Sequence, residues 1–339
     1  MIKLVLVAAI VSCVGGYSYK SPPIMVVLLA RNKEHTLPYF LTAFENIDYP
    51  KSRMSLYIRA DHCEDQTIPI LEYWLHENRH KYHSVDSVLN KSSSGYRNEN
   101  STEKGELAYQ HIISLKQSAL ETARKSWADY VLFLDVDVFI VEPDIINILM
   151  GENVPIITPM MNSLGRYSNF WGGMDKDYWY IRTDEYIEIL DRKKKGCFSM
   201  PMVHSFVLIN LKVAETDKLT FDPYKVNNKD IPLDDIIAFA ISSKEADLEM
   251  TLCNEQVYGF MAPSVIDNER PEIDGLRLKS LKLEVLVTHP PLAVSPSLVK
   301  FLPKPVAKNS LGFDKIYLIN LDRRKERKTR MELCFEVSE

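Results

Sequence analysis

Two aspartates stand two positions apart in VLFLDVDVFI, residues 131–140, a segment whose other members are all apolar. In an extended strand the side chains at positions i and i+2 point to the same face, so the carboxylates of Asp135 and Asp137 would converge on one small volume. Two anions that close push each other toward protonation unless a cation lies between them. The pattern therefore predicts a metal site at a strand end or, as the simpler alternative, a polar turn where the strand leaves the sheet.

Hard carboxylate oxygens in this position suit one kind of chemistry. Mn²⁺ and Mg²⁺ prefer such oxygens, and a divalent cation held there would bridge both phosphates of a nucleotide diphosphate. The cation would also offset the negative charge that builds up on a departing diphosphate. Because the tripeptide Asp-x-Asp also occurs by chance, its position after a buried strand carries the prediction.

The segments before and including this strand alternate between strand and helix patterns. Beginning with a strand, they occupy residues 24–32, 35–47, 53–62, 68–80, 83–89, 107–128 and 130–137. This order predicts a parallel sheet with helices on both faces. Functional sites in such sheets lie at the carboxyl ends of the strands, which is where Arg31, Asn32, Asp61, Asp65 and Asp135 fall.

Beyond residue 150 the pattern becomes mixed. Two strands, a helix and a late strand in EVLVTHPP are predicted, in that order, at 154–161, 204–211, 233–246 and 284–291. Residues 294–311 are rich in Pro and lack periodicity, which is typical of a linker between a first domain at 21–293 and a second unit at 312–339. That second unit has one strand and one helix, which cannot bury a core of their own.

The composition indicates a globular protein without an obvious charged partner. Of its 339 residues 46% are apolar and 10% aromatic, and a net charge of −5 arises from interspersed charges of both signs. No binding of nucleic acid or anionic lipid is expected from this balance. No stretch approaches the ~20 apolar residues of a transmembrane helix. The sequence is compatible with a homo-oligomer.

Two features point to the secretory pathway. The opening MIKLVLVAAIVSCVGGYS has the layout of a signal peptide, which we place at 1–18, the alternative being a buried first strand. Asn90 in NKS and Asn100 in NST are glycosylation sequons in a polar stretch, 90–106, that favours an exposed loop. Without the leader four scattered cysteines remain, which permit one or two disulfides without assigning any, and no CxxC spacing suggests zinc.

Several segments together carry a family resemblance. In chain order they are LLARNKEHTLPYFLTAFENIDYP, WADYVLFLDVDVFI, YSNFWGGM, GCFSMPMVHSFVLINL, LDDIIAFA, YGF, THPP and IYLINLDRRKER. In this combination the chain resembles the procollagen galactosyltransferases of glycosyltransferase family 25, from about residue 21 to its last residues. The resemblance implies an α/β fold of the GT-A-like glycosyltransferase type, with a Rossmann-like parallel sheet in the first half and a mixed second half.

The resemblance also implies an activity and a compartment. Family members resemble one another in having two GT-A-type domains, residing in the endoplasmic reticulum lumen, and transferring galactose from UDP-galactose to hydroxylysine of collagen or procollagen with Mn²⁺. A second acidic motif and a retention tail are expected by resemblance, and residues 312–339 are interpreted as a truncated start of the second glycosyltransferase domain. The alternative function is a catalytically inactive binding or adhesion module that keeps the fold.

By resemblance, Asp135 and Asp137 take the place of the family's metal-binding pair, with Asp137 as the more direct ligand. His289 in VTHPP falls where related collagen-modifying domains supply a late histidine to the same metal. A strand-end imidazole suits Mn²⁺, although a histidine before a proline is more often structural.

The resemblance also implies which residues contact the nucleotide. Asp61 and Asp65 resemble an acidic loop that faces the nucleotide, where a carboxylate accepts from uracil or ribose, and their alternative role is a loop-internal Asx turn. Arg31 and Asn32 at the end of the first strand are predicted to contact the nucleotide, together with Asp135.

A second acidic pair, Asp234 and Asp235, begins an apolar helix. One of the two can be its N-cap, which needs no function. The other would face the acceptor, where a carboxylate deprotonates a hydroxyl or stabilises an oxocarbenium-like transition state. His204 is interpreted as a satisfied core histidine, and Trp171 as either core or a platform on which a sugar stacks.

Overall fold

The computed structural model describes residues 20–91, 101–228, 230–263, 271–304, 314–315 and 317–337. Its strands are β1 (Ile24–Ala30), β2 (Met54–Ala60), β3 (Ser84–Leu89), β4 (Tyr130–Leu134), β5 (Val138–Ile140), β6 (Ile156–Pro159), β7 (Phe170–Trp171), β8 (Gly173–Met174), β9 (Tyr180–Ile181), β10 (Cys197–Met200), β11 (Met202–Val203), β12 (Phe206–Asn210), β13 (Met250–Cys253) and β14 (Gly259–Met261). Its α-helices are α1 (Leu37–Glu45), α2 (Thr67–Asn78), α3 (Ser101–Lys125), α4 (Ile145–Gly151), α5 (Asp184–Leu190), α6 (Asp235–Glu245), α7 (Pro271–Thr288) and α8 (Lys325–Val337).

Eight strands form one sheet in the order β10-β13-β6-β12-β4-β1-β2-β3. Strands β4, β1, β2 and β3 run parallel to one another, and β13 runs parallel to β6. Strand β12 is antiparallel to both β4 and β6, and β10 is antiparallel to β13. The prediction of a parallel first half and a mixed second half is confirmed.

The sheet buries apolar side chains on both faces. Alternate residues of β1 lie on opposite faces of the sheet. Val26 and Leu28 belong to the core beneath α1, α2 and α7, whereas Met25 and Val27 belong to the core beneath α3 and α6. A strand covered on both faces reads as a continuous apolar run, which is why β1 and β4 were recognisable in the sequence.

Two predicted strands are wrong. EVLVTHPP lies mostly in α7, because Leu278, Leu281 and Val285 recur at helical spacing and are buried against the core. The segment 316–321 forms no strand at any residue that the structure describes, and Tyr317 and Ile319 are exposed. A strand needs a partner edge for its backbone groups, and none lies beside this segment in the described sheets.

The end of one loop predicted from the sequence is misplaced. The predicted exposed loop at 90–106 ends earlier, because α3 already begins at Ser101. The first part of the predicted linker packs on the first domain, where Ser295 N donates to Thr42 Oγ1 at 2.8 Å and Leu298 is fully buried. Helix α8 lies against α7, with Arg330 Nη1 donating to the Val287 carbonyl at 2.6 Å. The domain boundaries at 293 and 311 stay a prediction.

Among the described helices, none is both long enough and apolar enough to cross a bilayer. The predicted leader at 1–18 and Asn100 lie outside the described residues, and Asn90 is exposed just after β3.

One disulfide, which the sequence left unassigned, joins Cys197 of β10 to Cys253 of β13. The antiparallel register places these two residues opposite each other, with Cα atoms 4.0 Å apart. Cys63 and Cys334 take no part in a disulfide among the described residues. The bridge ties the edge strand β10 to the sheet.

We expect Cys197→Ser to lower the free energy of unfolding by about 2–4 kcal/mol, because the bridge restricts the unfolded chain. The bridged residues are separated by 56 positions. Urea denaturation of oxidised protein measures the change, and Cys334→Ser, which removes a cysteine of α8 that is not part of the bridge, is the matched control. Equal midpoints for wild type and Cys197→Ser would show that the bridge does not form.

Candidate functional site

The candidate site lies where β4, β1 and β2, three neighbours in the sheet, end at the same edge. Asp135 follows β4, Arg31 follows β1 and Asp61 follows β2. The antiparallel strand β12 begins at this edge, so the Asp135 backbone N–H donates to the Ser205 carbonyl at 2.8 Å. Parallel topology therefore collects polar residues that are far apart in sequence.

The Asp135 to Asp137 segment is a turn and not part of one strand. Strand β4 ends at Leu134, β5 begins at Val138, and the Val138 N–H donates to the Asp135 carbonyl at 3.2 Å. The backbone thus forms the polar turn that was the alternative prediction. The prediction that Asp135 and Asp137 occupy positions i and i+2 of one extended strand is wrong. The break arises because β5 leaves the main sheet to pair with β14.

The turn nevertheless buries the Asp137 carboxylate. Asp137 is 6% exposed, and its Oδ2 lies 2.8 Å from Lys33 Nζ. Its Oδ1 is buried and has no hydrogen-bond partner among the described residues. Although burial lowers the pKa of Lys33, the nearby carboxylates of Asp137 and Asp135 outweigh it and raise that pKa. The site thus holds an ionised lysine and an unsatisfied carboxylate oxygen.

A second lysine, Lys116 of α3, lies between the two acidic pairs. Its ammonium group forms an ion pair with Asp235 Oδ2. Burial lowers the pKa of Lys116, but Asp235 and Asp135 raise it further than burial lowers it. Burial raises the pKa of Asp135, and the negative charge of Asp137 adds to this while Lys116 opposes it. The protonation of Lys116 and of Asp135 therefore depends on the charges of their neighbours.

Asp234 and Asp235 have different roles, as the sequence allowed. Asp234 is the N-cap of α6, accepting from the N–H groups of Ile236 and Ile237 at 2.9 and 3.0 Å. Tyr180 donates its hydroxyl to Asp234 Oδ2 at 2.6 Å. Burial, together with the charge of Asp235, raises the pKa of Asp234. Asp235 is the member of the pair that contacts Lys116.

The predicted nucleotide loops brace each other. Asn32 Oδ1 accepts from Glu64 N at 2.8 Å, and Asp65 Oδ2 accepts from Glu34 N at 2.9 Å. Asp65 Oδ1 accepts from Thr67 N at 2.9 Å, so Asp65 makes the loop-internal contact that was its alternative role. The loop after β1 is therefore fixed to the loop after β2. The contacts of Arg31, Asn32, Asp61 and Asp65 with a nucleotide stay a prediction.

Asp61 lies between two histidines. Its Oδ1 lies 3.1 Å from His62 Nδ1, and its Oδ2 lies 2.7 Å from His111 Nε2. Although burial raises the pKa of Asp61, the hydrogen bonds from His111 and His62 lower it further. Sequence reasoning had singled out Asp61 alone, since His111 lies on α3, 50 positions away.

His289 follows the end of α7 and not a strand. Its Nδ1 lies 3.0 Å from Thr288 Oγ1, and its ring centroid lies 5.2 Å from that of Phe260. Burial and the positive charge of Arg192 lower the pKa of His289. Within the described residues, the ligand atoms of His289, Asp135 and Asp137 do not gather in one compact group. Its role as a metal ligand stays a prediction.

His204 and Trp171 lie beside the site. His204 is 7% exposed, and its Nδ1 lies 2.8 Å from Ser205 Oγ. Its Nε2 is buried and lacks a partner among the described residues, so only half of the ring is satisfied. The Trp171 ring stacks on Tyr180 at 5.0 Å, and the Arg182 guanidinium lies 4.7 Å from its centroid.

Sequence reasoning missed the two lysines. Lys33 was visible directly after the polar end of the first strand, but its partner Asp137 is 104 positions away. Lys116 belongs to the amphipathic helix α3, where its burial against Asp235 is the signal that the pattern did not reveal. A lysine within a helix that covers a strand end rich in aspartate is a sign of charge compensation.

The sheet order and the acidic turn after β4 define an α/β protein of the GT-A-like glycosyltransferase class. A family model described as "Glycosyltransferase family 25, N-terminal domain" matches residues 21–272. The chain therefore belongs to glycosyltransferase family 25.

Related proteins agree with this assignment. A "Glycosyltransferase 25 family member" from Aedes aegypti is 42% identical over 331 residues, covering 97% of this chain and 54% of the relative. "Procollagen galactosyltransferase 2" from Mus musculus is 41% identical over 313 residues, covering 92% and 49%. The chain thus spans about half the length of the curated relatives it matches.

Among solved structures, S. aureus TarS 1–349 is similar with a TM-score of 0.43 and 12% identity, covering 78% of this chain and 64% of that chain.

We expect stability to decrease in acid because of His204. Burial, reinforced by Lys116, lowers the pKa of His204 from 6.5 to about 4. The unfolded chain therefore takes up a proton first as the pH falls, and stability is lost from about pH 6.5 down to about pH 4. Burial also lowers the pKa of His35 to about 4, so His35 contributes in the same direction.

In His204→Gln the loss of stability between about pH 7.5 and about pH 5 should be smaller than in wild type by roughly 2 kcal/mol. Urea denaturation at both pH values measures this difference. The control is His80→Gln, which removes an exposed histidine. If His204→Gln and wild type lost equal stability, His204 would not be neutral in the folded protein.

Proposed function

We propose that this chain binds UDP-galactose through Mn²⁺ and transfers galactose to hydroxylysine of collagen in the endoplasmic reticulum lumen. The observation that carries the proposal is the buried, unpartnered Oδ1 of Asp137 beside Asp135 in a family 25 domain. A buried carboxylate oxygen without a partner costs free energy unless a ligand satisfies it.

The donor set fits a Mn²⁺ ion. Asp135 and Asp137 offer hard carboxylate oxygens at the sheet edge where nucleotides bind in α/β folds. Because Lys33 occupies Oδ2 of Asp137, the oxygen that remains for a metal is Oδ1. When bound, the ion would neutralise the diphosphate and stabilise its departure as a Lewis acid.

The lysines prepare the site for this charge. Lys33 is 2.8 Å from Asp137 Oδ2 and so fixes the orientation of that carboxylate. Lys33 and Lys116 are ammonium donors next to the place where a diphosphate would lie. Lys33 follows β1, at the same edge as the bracing loops.

The acceptor side of the site is assigned to Asp235. Asp234 is committed to capping α6 and to Tyr180, whereas Asp235 contacts Lys116. A carboxylate in this position removes the proton of the incoming hydroxyl or stabilises positive charge at the sugar. The mouse and human relatives are both named procollagen galactosyltransferase 2, which supports galactose and collagen as the two substrates.

The secretory compartment is supported by the Cys197–Cys253 disulfide. Disulfides persist in oxidising compartments and are rare in the cytosol. Exposure of Asn90 agrees with its use as a glycosylation site.

One observation favours the alternative of a catalytically inactive binding or adhesion module. The Lys33 ammonium group already neutralises Asp137 without a metal. A module that kept the fold without the activity would bind neither Mn²⁺ nor UDP at this edge. Binding measurements separate the two functions.

We expect UDP to bind in the presence of Mn²⁺ and to bind at least ~10-fold more weakly after Asp137→Asn, a loss typical of weakened metal sites. Isothermal titration calorimetry with UDP-galactose and with UDP, with Mn²⁺ or with EDTA, measures this. Asp177→Asn, at an exposed turn, is the matched control. Equal affinity of wild type and Asp137→Asn would contradict the metal site, and absence of binding to wild type would favour the inactive module.

We expect Asp235→Asn to slow galactose transfer to a hydroxylysine peptide by roughly 10²-fold, because a positioned carboxylate contributes about that much. UDP affinity should stay within about twofold, since Asp235 is assigned to the acceptor and not to the nucleotide. Asp184→Asn is the control, because Asp184 also occupies the first position of a helix and is exposed. An unchanged transfer rate in Asp235→Asn would remove Asp235 from the mechanism.

A further inference from the structure

A second group of metal-binding side chains lies outside the acidic turn. Among the described residues, Asp61, His62 and His111 form a group in which one ligand atom of each residue lies within 4.8 Å of the other two. The Asp61 carboxylate touches both imidazoles, at 3.1 Å to His62 Nδ1 and 2.7 Å to His111 Nε2. The His62 and His111 ring centroids are 5.2 Å apart.

These three residues come from two regular elements. Asp61 and His62 directly follow β2, which is paired along its whole length with β1 and β3. His111 lies on α3, whose Ala119, Leu120 and Ala123 are fully buried against the sheet. Because both supports are packed, the ligand atoms are held in place without a bound ion.

We propose that Asp61, His62 and His111 bind a Zn²⁺ ion or a similar transition-metal ion. Two imidazole nitrogens and one carboxylate oxygen are a known zinc donor set, which leaves the fourth tetrahedral position to water. Ligand atoms about 2.1 Å from a tetrahedral ion lie roughly 3.4 Å from one another. The present separations need only small movements to reach that arrangement.

The Zn²⁺ site is separate from the acidic turn. Strand β1 lies between β2 and β4, so the two sites are about 10 Å apart across the sheet. Their chemistry also differs, because the turn offers only hard oxygens whereas this group offers two nitrogens. Imidazole-rich sites favour Zn²⁺, and carboxylate sites favour Mn²⁺ or Mg²⁺.

A bound Zn²⁺ ion would fasten the loop after β2 to helix α3. The same loop is hydrogen bonded to the loop after β1 through Asn32 and Asp65. The ion would therefore stiffen the edge of the sheet next to the proposed nucleotide site, as a structural clip and not as part of the transfer step. The inference does not depend on the proposed function, because its test uses no nucleotide.

The test is a titration of the full, metal-stripped chain with Zn²⁺, followed by calorimetry, and with Co²⁺, followed by its visible d–d absorption. To prevent binding at the acidic turn, the titration is carried out in the Asp137→Asn background. We expect one equivalent of each ion to bind and Zn²⁺ to raise the melting temperature. In the same background, His111→Gln should bind Zn²⁺ at least ~10-fold more weakly and lose the Co²⁺ absorption.

The matched control is His76→Gln. His76 also contacts a carboxylate, with its Nδ1 2.7 Å from Glu77 Oε1, but this exposed pair has no third ligand within the part of the chain that the structure describes. His76→Gln should leave the stoichiometry and affinity unchanged. His62→Gln provides a second test should His111→Gln fail to fold. If Zn²⁺ did not bind to the folded parent, or bound equally well to both histidine variants, the group would be a hydrogen-bonded cluster only and the proposal would be wrong.

Discussion

Compensation of buried negative charge is the constraint on which the site depends. Asp137 is almost fully enclosed at the end of β4, and burying an unpaired carboxylate costs several kcal/mol. The fold meets this cost with Lys33 from the loop after β1. Lys116 from α3 in the same way pairs with Asp235 at the start of α6. Lys33 therefore attaches the loop after β1 to the acidic turn, and Lys116 attaches α3 to α6, so the electrostatics of the site and the packing of the sheet edge cannot be separated.

The two lysines compensate the negative charge of the site only in part. Asp135, Asp137 and Asp235 face two lysines, while Asp234 is occupied by the cap of α6 and by Tyr180. Asp137 Oδ1 lacks a partner among the described residues, and burial raises the pKa of Asp135. A divalent cation would satisfy both aspartates at once. The lysines would then be available to the phosphate oxygens that accompany such a cation.

Much of this architecture could be predicted from the sequence, because buried parallel strands leave a simple pattern. The strands at 24–30 and 130–134 are continuous apolar runs, the strand at 54–60 is interrupted only by Ser55 and Arg59, and polar residues at the ends of all three identified the site edge. Long-range partners left no such pattern. Lys33 meets Asp137 and His111 meets Asp61 only because β4, β1 and β2 are neighbours and α3 covers them.

Local composition misled the prediction where tertiary contacts decide the structure. EVLVTHPP is rich in residues that favour strands, yet Leu281 and Val285 face the core four positions apart and the segment is helical. KIYLINL has the composition of a strand, but a strand forms only where a sheet edge receives it. The same reasoning explains the acidic turn. VLFLDVDVFI has the composition of one long strand, but β14 draws its second half out of the sheet, and the chain must turn at Asp135 to reach it. That turn places Asp137 against Lys33, so the polar turn that the sequence offered only as an alternative is also what creates the charged site.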